Sequence, residues 1–444
     1  MTQKVDRAGA IWRTTYTSRG KVHKVIDPYS STNANAYDDA NRLIQVKDPL
    51  SNTVSFAYDA NGNMTRTTDK LGRDWRKTYD RLNRVIAESD PQGNTKETTY
   101  DAVGRLKVVK TPMGYPSTHY YDGRGRLLNW VDAEGFTWHY DYDQALNITN
   151  VTDALGGHYV MSYGSRNERT MEKNQDNFLW QYQYDELLRP KQQTDPNGTV
   201  RTAVYDDGGR IDYVSFSTGR TDDYGFDPLS DDLLSISRIG SGPPTSFTLV
   251  YDAMDRVTEF TDTFSKKVTY GYDSLGRVSS VKYPDNKILT NRYDRLSRLT
   301  NQVAWSSWSM SYTYDKADRI LTRTYPNGVV QSNAYDTAGR LTDLSYLKSS
   351  NSVLLALTYA YDKNGNKSSS TEQGTFDWTP PASIDENARY TASGRLIDKM
   401  DALSSNDWTY VYDPSGNMTN ALGSGQSFAF KYDEDNRVMS VFWD

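Results

Sequence analysis

Two histidines in neighbouring segments are the side chains of this sequence best suited to proton transfer. His139 and His158 have the same parity along an extended chain, so both can lie on one face of a sheet. Tyr140, Tyr163 and Arg166 stand close to them in the sequence. A base, an acid and a charge clamp of these types can abstract a proton from an acidic sugar. The five residues are therefore the catalytic candidates for a lyase-type enzyme, although Tyr140 would face away from His139 on a strand.

A row of arginines is the second group that could do chemistry, because regularly spaced cations can bind a polyanion. Each member stands five residues after a recurrent tyrosine and four residues after an aspartate. The row consists of Arg42, Arg84, Arg105, Arg126, Arg277, Arg298, Arg319, Arg340 and Arg437. We expect each guanidinium to pair with the aspartate of its own turn or of a neighbouring one. This structural role is favoured over polyanion binding.

Composition removes several classes of function. The chain has 444 residues, a net charge of −6 and no cysteine. The lack of thiols excludes disulfides, thiolate metal sites and thiol catalysis, and no phosphate loop, nucleophile elbow or calcium loop is present. We therefore predict no cofactor, no metal and no nucleic-acid partner. Residues 1–15 lack the apolar segment of a signal peptide, and the longest aliphatic run covers only 353–357, so no membrane span is expected.

The elements that must position these side chains are set by an aromatic residue that returns every 21 residues. These anchors are Tyr16, Tyr37, Tyr58, Tyr79, Tyr100, Tyr121, Tyr142, Tyr163, Tyr184, Tyr205, Phe226, Tyr251, Tyr272, Tyr293, Tyr314, Tyr335, Tyr361, Tyr390, Tyr412 and Tyr432. Sixteen of the twenty anchors are Tyr-Asp pairs. The rhythm lengthens to steps of 25, 26 and 29 residues after Phe226, Tyr335 and Tyr361. A fixed period of this length predicts a repeat architecture with one supersecondary unit per copy.

Each repeat predicts one β-hairpin. Gly, Asn or Asp stands four residues after most anchors, and Gly often stands fourteen residues after, so two tight turns divide two short runs. The runs alternate in the manner of strands, as in Trp138, Tyr140 and Tyr142. Gly or Pro interrupts the chain too often for helices. The repeats therefore predict about forty strands in one coiled ribbon.

The motif Tyr-Asp-x-x-Gly-Arg-Leu resembles the YD repeat of the Rhs family. The residues that define it here are Tyr58 and Asp59, then Tyr100, Asp101, Gly104 and Arg105, then Tyr272, Asp273, Gly276 and Arg277, and Tyr335, Asp336, Gly339 and Arg340. This family includes bacterial Rhs polymorphic toxins, shell components of Tc toxins and the teneurins. The resemblance implies an all-β hairpin solenoid or spiral shell of about twenty 21-residue repeats. In the bacterial relatives such a shell encloses a C-terminal toxic domain.

We expect two regions within one continuous shell. A regular array covers residues 1–350, and irregular repeats cover 351–444 with an insert at 374–387. The insert contains Phe376 and Trp378, which suit either a cover over the last strands or a docking site for a partner.

The resemblance favours a non-catalytic scaffold, a segment of the encapsulating shell of a bacterial toxin or of a secreted or surface Rhs-type protein. The expected partners are other shell segments, an encapsulated toxin domain or a second copy of the chain. One alternative is a surface module that binds carbohydrate or protein on rows of Tyr and Trp. A further alternative is a polysaccharide lyase built on the histidine pair. We expect the protein to be secreted, displayed on the cell surface or delivered by a bacterial secretion system.

Overall fold

The computed structural model describes residues 1–174, 177–196, 198–240, 244–305, 308–348, 352–374, 385–390, 396–401, 407–412, 417–423, 426–432 and 438–443. In these ranges every regular element is a β-strand. They therefore contain no helix with the length and apolar character needed to cross a membrane. The all-β prediction is confirmed.

The strands are short and follow each other closely. The first twenty are β1 (Thr2–Val5), β2 (Ile11–Tyr16), β3 (Val22–Ile26), β4 (Thr32–Tyr37), β5 (Leu43–Lys47), β6 (Thr53–Tyr58), β7 (Met64–Thr68), β8 (Asp74–Tyr79), β9 (Val85–Ser89), β10 (Thr95–Tyr100), β11 (Leu106–Lys110), β12 (Pro116–Tyr121), β13 (Leu127–Val131), β14 (Thr137–Tyr142), β15 (Ile148–Thr152), β16 (His158–Tyr163), β17 (Arg169–Lys173), β18 (Leu179–Tyr184), β19 (Pro190–Thr194) and β20 (Val200–Tyr205). The others are β21 (Ile211–Phe216), β22 (Thr221–Phe226), β23 (Leu233–Ile239), β24 (Thr245–Tyr251), β25 (Val257–Thr261), β26 (Lys267–Tyr272), β27 (Val278–Lys282), β28 (Ile288–Tyr293), β29 (Leu299–Ala304), β30 (Trp308–Tyr314), β31 (Ile320–Thr324), β32 (Val330–Tyr335), β33 (Leu341–Leu347), β34 (Val353–Tyr361), β35 (Lys367–Gly374), β36 (Asp385–Tyr390), β37 (Leu396–Asp401), β38 (Trp408–Tyr412), β39 (Met418–Gly423), β40 (Gln426–Tyr432) and β41 (Val438–Trp443).

Two tight turns of one design join the strands of each repeat. In the first turn of a typical repeat, the Asp80 carboxylate accepts hydrogen bonds from the backbone N–H groups of Leu82 and Arg84, at 2.8 and 3.0 Å. Asn83 takes a φ of 62° there, and Gly93 takes a φ of 82° at the same place in the second turn. Asn and Gly tolerate this left-handed conformation, which explains why the predicted turn positions hold them.

The aromatic anchor ends the strand that precedes the first turn, at a β-bulge. Between β8 and β9 the antiparallel register shifts at Tyr79, which pairs with Val85. Between β7 and β8, by contrast, the pairing covers only Arg66 to Thr68 on β7. The first residue of β7, Met64, therefore lies beyond the paired part of its hairpin. A first residue that is unpaired within its hairpin recurs in other repeats, and the anchor tyrosine of the next strand interacts with it.

The strands form two compact units. Unit 1 comprises Met1–Glu97 and Val250–Asp385, and unit 2 comprises Thr98–Leu249 and Glu386–Asp444. The expected division into 1–350 and 351–444 stays a prediction. Phe376 and Trp378 of the expected insert lie outside the described residues.

Few side chains are fully covered. Among the described residues, the buried apolar set is Ala10, Ala203, Val214, Ala304 and Ala421. Most other strand residues that the structure describes are half-buried, and the strands are hydrogen-bonded into one sheet. Several polar groups are buried instead, including Asp48 and Asp222. The hairpins therefore depend on hydrogen bonds and ion pairs more than a globular core does.

Within unit 1, the second turns of the segment 1–97 lie against the first turns of the segment 250–385. Lys70 bridges Asp48 and Asp318, with its Nζ 3.1 and 2.8 Å from their carboxylate oxygens. In the same way Arg7 pairs with Asp255 at 3.0 Å. Facing turns begin 246 residues apart, at Asp6 and Asp252, Asp27 and Asp273, Asp69 and Asp315, and Asp90 and Asp336. A constant separation means that these two turn edges dock in register, repeat against repeat.

Candidate functional site

The hydroxyl of the anchor tyrosine completes the strand pairing at the gap that the bulge leaves. Tyr79 donates a hydrogen bond of 2.7 Å to the carbonyl oxygen of Met64, fifteen residues earlier. The same bond, at 2.6–2.9 Å, is made by Tyr37, Tyr58, Tyr142, Tyr184, Tyr205, Tyr272, Tyr293, Tyr314 and Tyr335. In each case the hydroxyl supplies a donor to this carbonyl. Three of these carbonyls also accept from an Asn side chain: those of Val22, Val278 and Ile320.

The motif arginine joins each first turn to the next. Arg277 pairs with Asp273 of its own turn at 2.6 Å, and its Nη1 donates to the carbonyl oxygen of Asp294 at 3.4 Å. Its guanidinium carbon lies 4.5 Å from the ring centre of Tyr293. Stacking of this kind, at 4.2–4.9 Å, joins Arg42 to Tyr58, Arg105 to Tyr121, Arg126 to Tyr142, Arg189 to Tyr205, Arg210 to Phe226, Arg256 to Tyr272, Arg298 to Tyr314, Arg319 to Tyr335 and Arg340 to Tyr361. We call this recurrent series of Tyr, Asp and Arg contacts the turn ladder. Repeats with another residue at the arginine position, such as Asn63 and Asn147, interrupt it.

The expected ion pair with the aspartate of the same turn is present for eight of the nine predicted arginines. The pairs, at 2.5–2.8 Å, are made by Arg42, Arg84, Arg105, Arg126, Arg277, Arg298, Arg319 and Arg340. Arg437 lies outside the described residues. These guanidinium groups face carboxylates, rings and carbonyls of the protein, which is a structural arrangement.

The local environment shifts the pKa of two groups of the ladder in opposite directions. Hydrogen bonds from the side chain and backbone of Arg84 lower the pKa of the Asp80 carboxyl. Burial raises the pKa of the Tyr272 hydroxyl. Both shifts favour the charged form of Asp80 and the protonated form of Tyr272, which is the form that donates a hydrogen bond.

One repeat shows how the turn is rebuilt when its aspartate is missing. Gly164 follows Tyr163, and the Glu168 carboxylate folds over it to accept a hydrogen bond of 2.9 Å from the Arg166 backbone N–H. A side chain at position 164 would collide with this carboxylate. Glu168 therefore takes over the bonding of the absent aspartate in this turn.

The two candidate histidines lie on one face of unit 2, as their parity predicted. Both face Thr152 across β14, β15 and β16, and both are exposed. His139 Nε2 lies 3.2 Å from Asp141 Oδ1, and His158 Nδ1 lies 3.3 Å from Asn150 Oδ1. The Asn150 amide in turn donates to Asp141 at 2.9 Å. The histidines thus share one solvent-exposed polar network.

The other three members of the catalytic candidate set do not join this network. Tyr140 pairs in register with Val151 on the opposite face, where burial raises its pKa. The Tyr163 hydroxyl lies 3.8 Å from the sulfur of Met161. Arg166 donates at 2.8 Å to the carbonyl oxygen of Glu186 in the next turn. The five residues therefore do not form one site.

Metal binding has no geometric support among the described residues. They contain no group of three or more His, Asp or Glu side chains placed to hold an ion.

Sequence reasoning missed a buried carboxylate held by two arginines in unit 2. Asp222 accepts hydrogen bonds from Arg220 and from Arg238, whose Nε lies 2.7 Å from Asp222 Oδ1. The Arg220 bonds outweigh the opposing effect of burial and, together with Arg238, lower the pKa of Asp222 to about 2. Arg220 precedes the 25-residue step from Phe226 to Tyr251, and Arg238 lies within it. This step was the available signal for an irregular structure.

Two family models match the sequence. The RHS Repeat model matches residues 37–74, 79–115 and 121–170, and the Teneurin YD-shell model matches residues 241–355. The chain belongs to the YD-repeat (Rhs) family. No curated protein sequence gave a match.

Solved structures share the YD-repeat fold with this chain. The crystal structure of TcdB2-TccC3-Cdc42 superposes with a TM-score of 0.70 at 12% identity, over 96% of this chain and 27% of that chain. The Photorhabdus luminescens Tc holotoxin pore superposes with a TM-score of 0.50 at 15% identity, over 97% of this chain and 24% of that one. The YD-repeat shell fold is therefore confirmed. The chain spans about a quarter of the length of these solved chains.

The hydroxyl bond of the YD-repeat tyrosine predicts a graded effect of its removal. Tyr272→Phe should lower the free energy of unfolding by about 1 kcal/mol, because the Val257 carbonyl loses the hydroxyl donor. Tyr293→Phe should cost about half as much, because the Asn291 amide also donates to its target carbonyl, at 2.9 Å. Urea unfolding of both variants measures the difference. Equal losses would contradict the assigned role of the hydroxyl.

The Asp222 clamp predicts a pH-dependent contribution to stability. Because the folded pKa of about 2 lies below the ordinary value of 3.8, the stabilisation is complete above pH 4 and is lost as the pH falls to 2. Asp222→Asn should therefore be less stable than the parent by about 2 kcal/mol at pH 6, with the gap closing below pH 4. Urea unfolding across this pH range provides the measurement. Asp223→Asn, at the exposed neighbouring position, is the matched control and should show no such closing gap.

Proposed function

We propose that this chain is a non-catalytic scaffold that forms a segment of an encapsulating β-shell. The observation that carries the proposal is the docking of turn edges in unit 1 at a constant separation of 246 residues. Edges that interlock in this way extend a single sheet sideways without adding a second layer. A wall one sheet thick, with few fully buried side chains, suits an enclosure better than a globular enzyme.

The comparisons support a toxin setting for this scaffold. The similar solved structures contain Tc toxin components, and the family resemblance extends to Rhs toxins. We propose that the shell segment acts with other shell segments around an enclosed protein, in a bacterial toxin or a secreted or surface Rhs-type protein. Delivery by a bacterial secretion system or display on the cell surface belongs to the same proposal.

Imaging of single particles tests the shell role directly. Negative-stain electron microscopy of the full chain at nanomolar concentration, where copies stay apart, should show a stain-filled centre surrounded by a thin wall. Filled rods or solid globules of the same mass would contradict the proposal. Thin sheets lying flat would contradict it as well, because the twist of strands must curve a ribbon of this length.

Carbohydrate binding is a second candidate, favoured by one face of unit 2. Trp130 and Trp138 lie with ring centres 6.2 Å apart on this face. A cavity of about 230 Å³ is lined by Trp180, Glu172 and Asn174, among others. The Asn174 amide nitrogen is buried and has no hydrogen-bond partner among the described residues. An aromatic ring and an amide donor are groups that bind a neutral sugar ring. The Glu172 carboxylate accepts from the Tyr182 hydroxyl at 2.9 Å and pairs with Arg169 at 2.6 Å, so it serves mainly to shape the cavity.

A glycan array tests this second candidate. Specific binding that is lost in Trp180→Ala and kept in Trp408→Ala would support it, since Trp408 instead stacks on Phe428 at 5.7 Å. No binding above background, or equal binding by both variants, would remove it. The lyase alternative, based on the histidine pair, stays a prediction.

A further inference from the structure

We propose that the first-turn edge of unit 2 binds the second-turn edge of unit 1 in a second copy of this chain. The open first-turn edge consists of the turns that carry Val103, Leu187 and Leu229, each three residues after its anchor. The open second-turn edge is the turn that carries Phe264 and Lys266. The interface would repeat, between copies, the docking that unit 1 makes within itself.

The contacts inside unit 1 define the chemistry of such an interface. The second turn supplies cations and amides: Arg7 pairs with Asp255, and the Gln92 amide donates to Asp336 at 3.2 Å. The first turn supplies the carboxylates, and also carbonyl oxygens, one of which accepts from Arg73 at 3.4 Å. Donation also runs the other way, since Arg340 of a first turn donates to the Gln92 side-chain oxygen at 2.8 Å. A docked pair of turns is therefore joined by hydrogen bonds in both directions and by ion pairs to first-turn carboxylates.

An apolar contact accompanies these polar bonds. Tyr29, at the tip of a second turn, and Leu275, three residues after a first-turn anchor, line one cavity of about 490 Å³ in unit 1. Tyr29 also lies 5.6 Å from the guanidinium carbon of Arg277. At the position of Leu275, the docked first turns of unit 1 also hold Met254 and Leu296, and all three are half-buried. Docking thus shelters the apolar residue of each first turn.

The equivalent residues of unit 2 have no such shelter. The exposed fractions of Val103, Leu187 and Leu229 are 75%, 73% and 95%. The turn itself does not require an apolar residue there, because Arg124 and Arg166 occupy the same position in other repeats. These three residues are separated along the edge by other repeats, with Arg124 and Arg166 between Val103 and Leu187. Each is an exposed apolar contact point at the position that docking covers in unit 1.

The complementary residues are exposed on a second turn of unit 1. Phe264 stands at the position of Tyr29 in its repeat and is 79% exposed. Lys266 stands at the position of Arg73, and it is also exposed. The Asp262 carboxylate accepts from the backbone N–H groups of both residues, at 2.9 and 2.8 Å, so this turn has the design of the docked ones. One chain therefore presents both halves of the interface.

The two halves are different surfaces, so the contact between copies is heterologous. Such contacts join copies head to tail and leave one free edge of each kind at the ends. We therefore expect association to increase with protein concentration. The proposed association can be tested separately from the shell role. The imaging experiment uses a concentration at which copies stay apart, so either proposal can fail without the other.

Sedimentation velocity of the full chain tests the proposal. The protein concentration should run from about 1 to about 100 µM, which spans the dissociation constants of weak specific contacts. The parent should form dimers and larger species as the concentration rises. Two variants should each weaken association by about tenfold or more. One is the double variant Val103→Arg/Leu187→Arg, and the other is the single variant Phe264→Asn. These changes preserve folding, since Arg124 and Asn327 already occupy the equivalent positions. Tyr120→Arg, on an exposed strand position outside the turns, is the control and should associate like the parent.

Mixing the two edge variants gives the sharpest outcome. Each variant keeps one intact edge, so an equimolar mixture should form dimers but no larger species. Monomers at every concentration of the parent would overturn the proposal. Association that neither edge variant weakens, or a mixture that stays monomeric, would also overturn it. Circular dichroism matching the parent confirms that each variant is folded.

Discussion

The stacking of each motif arginine on the next anchor tyrosine is the contact on which the rest of this structure depends. A hairpin of two short strands is marginal by itself, and few side chains of the described strands are fully buried. In the turn ladder, one guanidinium bonds the aspartate of its own turn and packs on the ring of the following repeat, as Arg256 does with Asp252 and Tyr272. The tyrosine hydroxyl then closes the gap left by the bulge. Three side chains thus fix the spacing of neighbouring repeats.

This arrangement explains why the sequence can vary so much between the motif positions. Strand faces that are only half-buried tolerate many side chains, because neither face must fit a packed core. At the ladder positions, changes keep part of the bonding. Glu168 keeps a turn hydrogen bond where Gly164 replaces the aspartate. Phe226 keeps the ring contact with Arg210, although it cannot donate a hydrogen bond.

Local features of the fold could be predicted from the sequence, whereas contacts that depend on register could not. Asn83 and Gly93 indicated both turns of their repeat, because only a few residue types accept a left-handed backbone. The pairing of Arg84 with Asp80 followed from their spacing within one turn. The bond from Tyr79 to Met64, however, requires knowing where the pairing of β7 and β8 ends.

Distant contacts were still less accessible. Lys70 reaches Asp318 only because the lengths of all intervening repeats, including the 25-residue step, add up to an in-register return within unit 1. Parity did place His139 and His158 on one face. Side-chain parity could not show that Arg166 donates to the Glu186 carbonyl of the next turn. Arg166 belongs to the turn in which Gly164 replaces the motif aspartate, so the regular motif does not predict this bond.

A double-mutant cycle on one step of the ladder tests the central claim most directly. Arg189 stacks on Tyr205 at 4.3 Å in unit 2, so Arg189→Met, Tyr205→Leu and the double variant should be compared by urea unfolding. We predict a favourable coupling energy of about 1 kcal/mol between the two side chains. Additive losses, with a coupling energy near zero, would contradict the view that this contact holds neighbouring repeats together.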